Sequence, residues 1–188
     1  MSSIEVPTLD TEVTQAWGEA VADHLNHAVG KAASSASITN TQTQVVGLTI
    51  PANSLEAGDV FRITAFGTCT STVANAVTFR LRIGTTTLTG NILSTNNPTA
   101  TTTASNDPFE IDALVTIRSI GASGTATGGQ VMNGGSTQPF ASSTRTDQPT
   151  TTQTVDTTVA NILELTAVTA AGTTTVIFRQ AVIQKLKA

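Results

Sequence analysis

The spacing of apolar positions changes period near residue 40. Ahead of that point Val13, Trp17, Val21 and Leu25 recur every four residues, with Ala16, Ala20 and Ala28 beside them. This narrow apolar stripe, flanked by Glu19, Asp23, His24 and Asn26, predicts an amphipathic helix over residues 10–33. Asp10 is placed to cap it, and Glu12 in the first turn favours the helix dipole. Pro7 keeps Val6 out of the helical region, so residues 1–8 read as extended. Gly30 and the small residues from Ala32 to Ser37 predict a fraying end followed by a flexible linker.

Beyond residue 40 the period is two. Val45, Val46, Leu48 and Ile50 precede Pro51, and Ala52 to Asp59 carries the residues of a turn-rich connection. In Val60–Thr68, Phe61, Ile63 and Ala65 share one face and Arg62 and Thr64 the other. Val77–Ile83 alternates in the same way, with Val77, Phe79, Leu81 and Ile83 inward and Thr78, Arg80 and Arg82 outward. Thr85–Leu88 is a short strand candidate, and Ser94–Asp107 reads as a long exposed loop. Phe109–Arg118 directs Phe109, Ile111, Ala113, Val115 and Ile117 inward and Glu110, Asp112, Thr116 and Arg118 outward. Ser123–Met132 is a weaker strand, and residues 133–154 are expected to be mostly loop with one edge strand. Asn161–Thr169 and Thr173–Leu186 end the chain, with Ala170-Ala171-Gly172 between them predicting a hairpin.

About eight alternating strands with unequal connections imply an antiparallel β-sandwich, and the long crossings favour a jelly-roll-like arrangement. The chain therefore divides into residues 1–40, an arm, helix and linker, and residues 41–188, the β-sandwich domain. One such helix cannot bury a core alone. Its stripe, which holds the only Trp of the chain, must pack on the β module, on copies of itself or on a different protein.

Composition sharpens this picture. Thr accounts for 38 of 188 residues, and a β-branched, hydroxylated side chain suits a half-solvated pleated surface. Charged residues make up only 12%, against about 25% in ordinary soluble domains. So neutral an exterior implies apolar surface hidden by a partner, most simply a homo-oligomer of closed symmetry such as a trimer. The net charge of −4 opposes nucleic-acid binding, which calls for clustered Lys and Arg. No apolar run approaches the length of a membrane span, and the N-terminus shows no signal peptide, so synthesis in the cytoplasm is expected.

Candidate chemistry is sparse. Cys69 is the only cysteine, which leaves no intrachain disulfide, and its strand-like setting reads as a buried apolar position. His24 and His27 share a helical face without a third ligand beyond Asp23, so no metal site is expected. Any Ser/His/Asp arrangement would have to join the isolated helix to the sandwich, and Glu110 and Asp112 read as ordinary outer-face carboxylates. No enzyme activity and no cofactor are expected. Six Arg stand against three Lys. Because the planar guanidinium is favoured at interfaces, Arg62, Arg80, Arg82, Arg118 and Arg179 are candidates for subunit contacts as well as for cross-strand pairing. The helix stripe Val13, Trp17, Val21 and Leu25 is the candidate partner-binding element.

The segment Leu48-Thr49-Ile50-Pro51-Ala52-Asn53-Ser54-Leu55-Glu56-Ala57-Gly58-Asp59-Val60-Phe61-Arg62-Ile63-Thr64-Ala65 resembles a phrase found in virion proteins of tailed bacteriophages. Phe79-Arg80-Leu81-Arg82-Ile83-Gly84 and the late Val-rich strands are similar to theirs too. The resemblance covers about residues 45–186 and brings no active-site residues with it. It implies a small jelly-roll module in a capsid decoration, head-fibre, tail-fibre or minor tail role, commonly homotrimeric and exposed on the virion surface. The helix would then dock on capsid or tail proteins. A receptor- or glycan-binding module, aimed at a host surface glycan, is the alternative. The lack of Tyr and the position of Trp17 outside the sandwich count against it, because sugar sites usually offer aromatic platforms.

Overall fold

A computed structural model describes residues 31–32, 37–134, 139–141, 144–147 and 152–186. The described chain is all antiparallel β. Its strands are β1 (Lys31–Ala32), β2 (Ser37–Ile38), β3 (Thr43–Ile50), β4 (Val60–Ser71), β5 (Val77–Gly84) and β6 (Asn91–Asn96). They continue with β7 (Asp107–Ser119), β8 (Gly124–Gly134), β9 (Thr144–Asp147), β10 (Gln153–Val155), β11 (Asn161–Thr169) and β12 (Thr174–Leu186). The larger sheet runs β1-β12-β4-β7-β8-β10, with β2 also on β12 and β9 also on β8, and the smaller runs β3-β11-β5-β6.

The two-residue alternation explains why these sheets form a sandwich. Ile63, Ala65 and Cys69 of β4, Ile111, Val115 and Ile117 of β7, and Val176, Phe178 and Ile183 of β12 are all buried. They face Val77, Phe79, Leu81 and Ile83 of β5 and Leu163, Leu165 and Ala167 of β11 across one continuous core. Phe79 is central to its aromatic part. Its ring lies 5.6 Å from Phe109 and 6.1 Å from both Phe140 and Phe178, edge-on to the last two.

Cys69 is fully buried on β4. Desolvation, with a smaller contribution from Asp107, pushes its thiol up to about 12. The native protein is therefore expected to resist a thiol reagent at pH 8 and to react fully once unfolded. Rapid modification under native conditions would show that this end of the sandwich opens.

Four expectations are corrected. The helix predicted over 10–33 falls almost wholly outside the described residues, but at its end Lys31 and Ala32 pair with Val182 and Ala181 as a strand. Unpaired backbone groups on the edge of β12 offer these residues hydrogen bonds that a last helical turn would leave unmade. Ser37–Ile38 likewise pairs with β12, so the sheet begins before residue 41. Next, β11 and β12 form no hairpin. Residues 170–173 carry the chain from the smaller sheet to the larger, and each strand is paired on both sides by other partners.

The third correction concerns Thr85–Leu88, which is a turn rather than a strand, with Leu88 at φ 67°. A Cβ on Gly84 would lie 2.7 Å from Gly90 Cα, so two glycines let the loop close upon itself. The fourth concerns Ser94–Asp107. Ser94 and Asn96 belong to β6, and Ala100 and Ala104 are buried, so this connection packs against the body.

The phrase around Pro51–Asp59 has a structural reason. Leu55 is buried, and Gly58 takes φ 99°, a conformation that side chains oppose. The nearly buried Asp59 carboxylate accepts the Glu56 N–H at 2.9 Å and lies 2.9 Å from Lys185 Nζ on β12. Gly58 N–H donates to the Ile117 carbonyl and Ile117 N–H to the Asp59 carbonyl, tying the connection to β7.

Candidate interaction surface

Residues opposite one another in an antiparallel ladder project to the same side, so the registers define the outer face of the larger sheet. Its central rows are Gln184–Arg62–Leu114–Gly129, Val182–Thr64–Asp112–Val131 and Gln180–Phe66–Glu110–Asn133. Leu114 is 49% exposed and Phe66 43%, each at a position where alternation places a polar residue. Between them Arg62 forks onto Asp112, Nε to Oδ1 at 2.9 Å and Nη2 to Oδ2 at 2.8 Å. That hydrogen-bonded carboxylate raises the arginine's pKa above its ordinary value. The pair is solvated, so it orients side chains on the face more than it stabilises the fold. Beside Phe66 a groove of about 200 Å³ opens, lined also by Pro108, Phe109, Glu110, Asn133 and Gly134.

The five candidate interface arginines do not form one patch. Arg62 on β4, Arg118 on β7 and Arg179 on β12 are exposed on or beside the larger sheet's outer face, Arg179 at the bulge between Phe178 and Gln180. Arg80 and Arg82 occupy the outer face of the smaller sheet. There the loop 84–90 folds down and buries Glu164 to 1% exposure. Glu164 accepts Gln44 Nε2 at 2.7 Å and the Leu88 N–H at 2.6 Å. Arg80 Nη1 donates to Gln42 Oε1, Gln42 Nε2 to the Leu88 carbonyl, and Arg82 Nη1 to the Gly90 carbonyl. Burial, then the neighbouring Arg80, lowers the Arg82 pKa, with Glu164 opposing them. This constellation fastens a loop. The helix stripe Val13, Trp17, Val21 and Leu25, with His24 and His27, lies outside the described residues.

A second cleft, about 210 Å³, lies between the loop 84–90 and the segment from β10 to Asn161. Thr85, Thr86, Thr89, Thr154, Asn91 and Asp156 give it a hydroxyl- and amide-rich lining. Asn91 Nδ2 donates to the Thr154 carbonyl at 2.6 Å and braces its mouth. Thr158 donates to Asp156 Oδ1 from both Oγ1 and the backbone, which lowers that carboxyl's pKa. Among the described residues no group of three His, Cys, Asp or Glu is placed to hold a metal ion.

Sequence reasoning passed over Phe66 and Leu114 as surface residues. The signal was present, because each breaks the polar side of its strand's alternation.

No family model matches the chain, and no curated protein sequence matches it. Among solved structures it is similar to an insecticidal delta-endotoxin from Bacillus thuringiensis, at 9% identity and a TM-score of 0.34 over 80% of this chain and 19% of the toxin. It is also similar to the CBM2 module of the evolved Dit of Lactobacillus casei BL23 phage J-1, at 11% identity and a TM-score of 0.33. That likeness covers 76% of this chain and 70% of the module. The VP2 subviral particle of infectious bursal disease virus gives 12% identity and a TM-score of 0.30 over 86% of this chain and 30% of VP2. The chain thus spans about a fifth of the toxin and under a third of VP2. At TM-scores this low the likenesses carry no argument about what the chain does.

Proposed function

We propose that the chain is a non-enzymatic structural protein of a tailed-phage virion, of the capsid decoration or head-fibre kind. It displays a jelly roll at the virion surface and attaches through its N-terminal arm. The observation that carries this reading is the strand order. With β2, β12, β4 and β7 adjacent in one sheet and β3, β11, β5 and β6 in the other, the chain follows the double Greek-key path of a jelly roll. The strand β8 is added beside β7. Jelly rolls recur in viral capsid and lectin domains. The second support is the resemblance of Leu48–Ala65 to tailed-phage virion proteins. Low charge and exposed Phe66 and Leu114 support a homo-oligomer, for which a trimer is the proposed state.

A receptor- or glycan-binding module is the second reading. The polar cleft beside Thr154 and Asp156 favours it, because hydroxyl and amide groups suit a sugar. Phe66, the one large aromatic exposed among the described residues, lies outside that cleft's lining. A glycan array separates the readings.

The test of the first reading is a truncation. Deleting residues 1–30 retains β1, which the sheet uses, and removes the stripe. The shortened protein is expected to keep a β-type circular dichroism spectrum and to lose binding to phage particles. Trp17→Ala with Leu25→Ala in the full chain should do the same. Normal occupancy of particles by the truncated form would show that the arm is not the anchor.

A further inference from the structure

We infer that the cleft between the loop 84–90 and the segment from β10 to Asn161 takes one uncharged sugar residue, held through its hydroxyls, with Asp156 turning acidic sugars away. The inference rests on the glycan-binding reading and deepens it, because it names the site, the class of sugar and the groups that select it.

Three observations lead to it. First, the cleft holds polar groups that the fold leaves unused. Asn161 lines it and is only 2% exposed. Its Nδ2 donates to the Asp156 carbonyl at 2.8 Å and to the Val159 carbonyl at 3.0 Å. Both partners are acceptors, so the amide cannot turn over, and among the described residues nothing donates to Oδ1. An amide oxygen on so nearly buried a side chain is destabilising until water or a ligand donates to it. Asp156 is similar. Thr158 occupies its Oδ1 twice, at 2.9 and 2.6 Å, while Oδ2 has no partner among the described residues. The hydroxyls of Thr85, Thr86 and Thr154, on the same lining, also make no hydrogen bond with the described residues, and each can donate or accept.

Second, the lining selects its ligand. It contains one carboxylate and no Lys, Arg or aromatic side chain. The hydrogen bonds from Thr158 hold the Asp156 carboxyl below its ordinary pKa, so it is ionised at neutral pH. An anion would meet that charge with no cation to offset it. An ammonium ion has no acceptor to offer the threonine hydroxyls, and an apolar group would strand them all. A neutral polyol satisfies both kinds of group. It donates to Asp156 Oδ2 and Asn161 Oδ1 and accepts from the threonines. The volume of about 210 Å³ falls below the roughly 300–1,000 Å³ of sites for drug-sized ligands, so a single ring is the size that suits it.

Third, the cleft is held in shape before any ligand arrives. One wall, the loop 84–90, is fastened from beneath by Glu164 through the Leu88 N–H and by Arg82 through the Gly90 carbonyl. On the other wall Asn91 Nδ2 holds the Thr154 carbonyl, and Thr157 bonds to both the N–H and the carbonyl of Gly121. Burying Glu164 and Arg82 merely to close a turn carries a desolvation penalty. Fixing one wall of a binding site gives that network a use, since a rigid site loses little freedom on binding. Without a ring to stack on, affinity at each site is low, about millimolar.

The test is an amide-resolved titration of the isotope-labelled full-length protein at pH 7. The probes are methyl β-glucopyranoside, methyl β-galactopyranoside, methyl β-N-acetylglucosaminide and N-acetylneuraminic acid, each taken to tens of millimolar. At least one neutral glycoside is expected to shift the amides of residues 84–91 and 154–161 saturably, and N-acetylneuraminic acid to shift none of them. Asp156→Ala should weaken that binding about tenfold, the usual effect of losing a hydrogen bond to a charged group. Thr86→Val, which keeps the shape of the side chain and removes the hydroxyl, should weaken it several-fold with an unchanged circular dichroism spectrum. Saturable shifts confined to another surface, such as that around Phe66, overturn the inference and leave the glycan-binding reading standing. An equal response to N-acetylneuraminic acid overturns it, as does wild-type affinity in both variants. No shift with any of the four probes overturns it too, and the glycan array then decides separately whether the broader reading survives.

Discussion

Phe79→Ala is expected to lower the unfolding free energy by about 3–5 kcal/mol, the range found when a buried aromatic is removed from a packed core. The ring sits on the central strand β5 and touches the aromatic groups of three separate segments, Phe109 on β7, Phe140 in the connection after β8, and Phe178 on β12. Removing it leaves a cavity between two sheets whose backbones are held by ladders, so collapse around the void is limited. Urea denaturation checks this through a lower midpoint at unchanged slope. Phe79→Leu should cost distinctly less. A loss below about 1 kcal/mol for the alanine variant would mean that the two sheets are not closed on each other here.

The second large effect is expected at Glu164. Glu164→Ala removes the acceptor for the Leu88 N–H and for Gln44 Nε2 at once, and takes a negative charge from beside the desolvated Arg82. A cost of about 2 kcal/mol follows, since a buried donor without a partner loses more than the bond itself was worth. Amide exchange should accelerate selectively through the loop 84–90. Glu164→Gln is the informative control. Its carbonyl oxygen can still accept from Leu88, and the Gln44 amide can turn over to present its own oxygen. Most of the stability should therefore return. Equal losses in the two variants would show that the charge, through Arg82, matters more than the hydrogen bonds.

Much of the sandwich was legible in the sequence because alternation is a local property. In β4, β5 and β7 each inward residue named from the pattern is buried, among them Phe61, Ile63, Val77, Phe79, Ile111 and Val115. The Leu55–Asp59 phrase also announced its turn, since a Gly at φ 99° followed by a capping Asp is a short-range device. Misreadings arose where the same local signal fits two tertiary outcomes. A Gly-containing turn between two alternating strands looks alike whether the second strand folds beside the first or crosses to the facing sheet. At residues 170–173 it crosses, because β11 already has β3 and β5 on its edges. Thr85–Leu88 reads as β-prone by composition, yet the need to cover Glu164 and Arg82 draws it into a loop.

The candidate surface divides in the same way. Sequence alone determined that the chain is mainly β, that its first thirty residues carry acidic side chains and no Lys or Arg, and that Arg outnumbers Lys. Those features depend on residue type and on spacing within a few positions. Only the tertiary structure decided that Arg62 pairs with Asp112, that Arg80 and Arg82 lie on the opposite face from Arg118, and that Phe66 and Leu114 share a face. Each of those facts depends on which strands become neighbours and in what register. That choice is made by burying two whole sheet faces against each other, a long-range free energy that no short stretch of the chain contains.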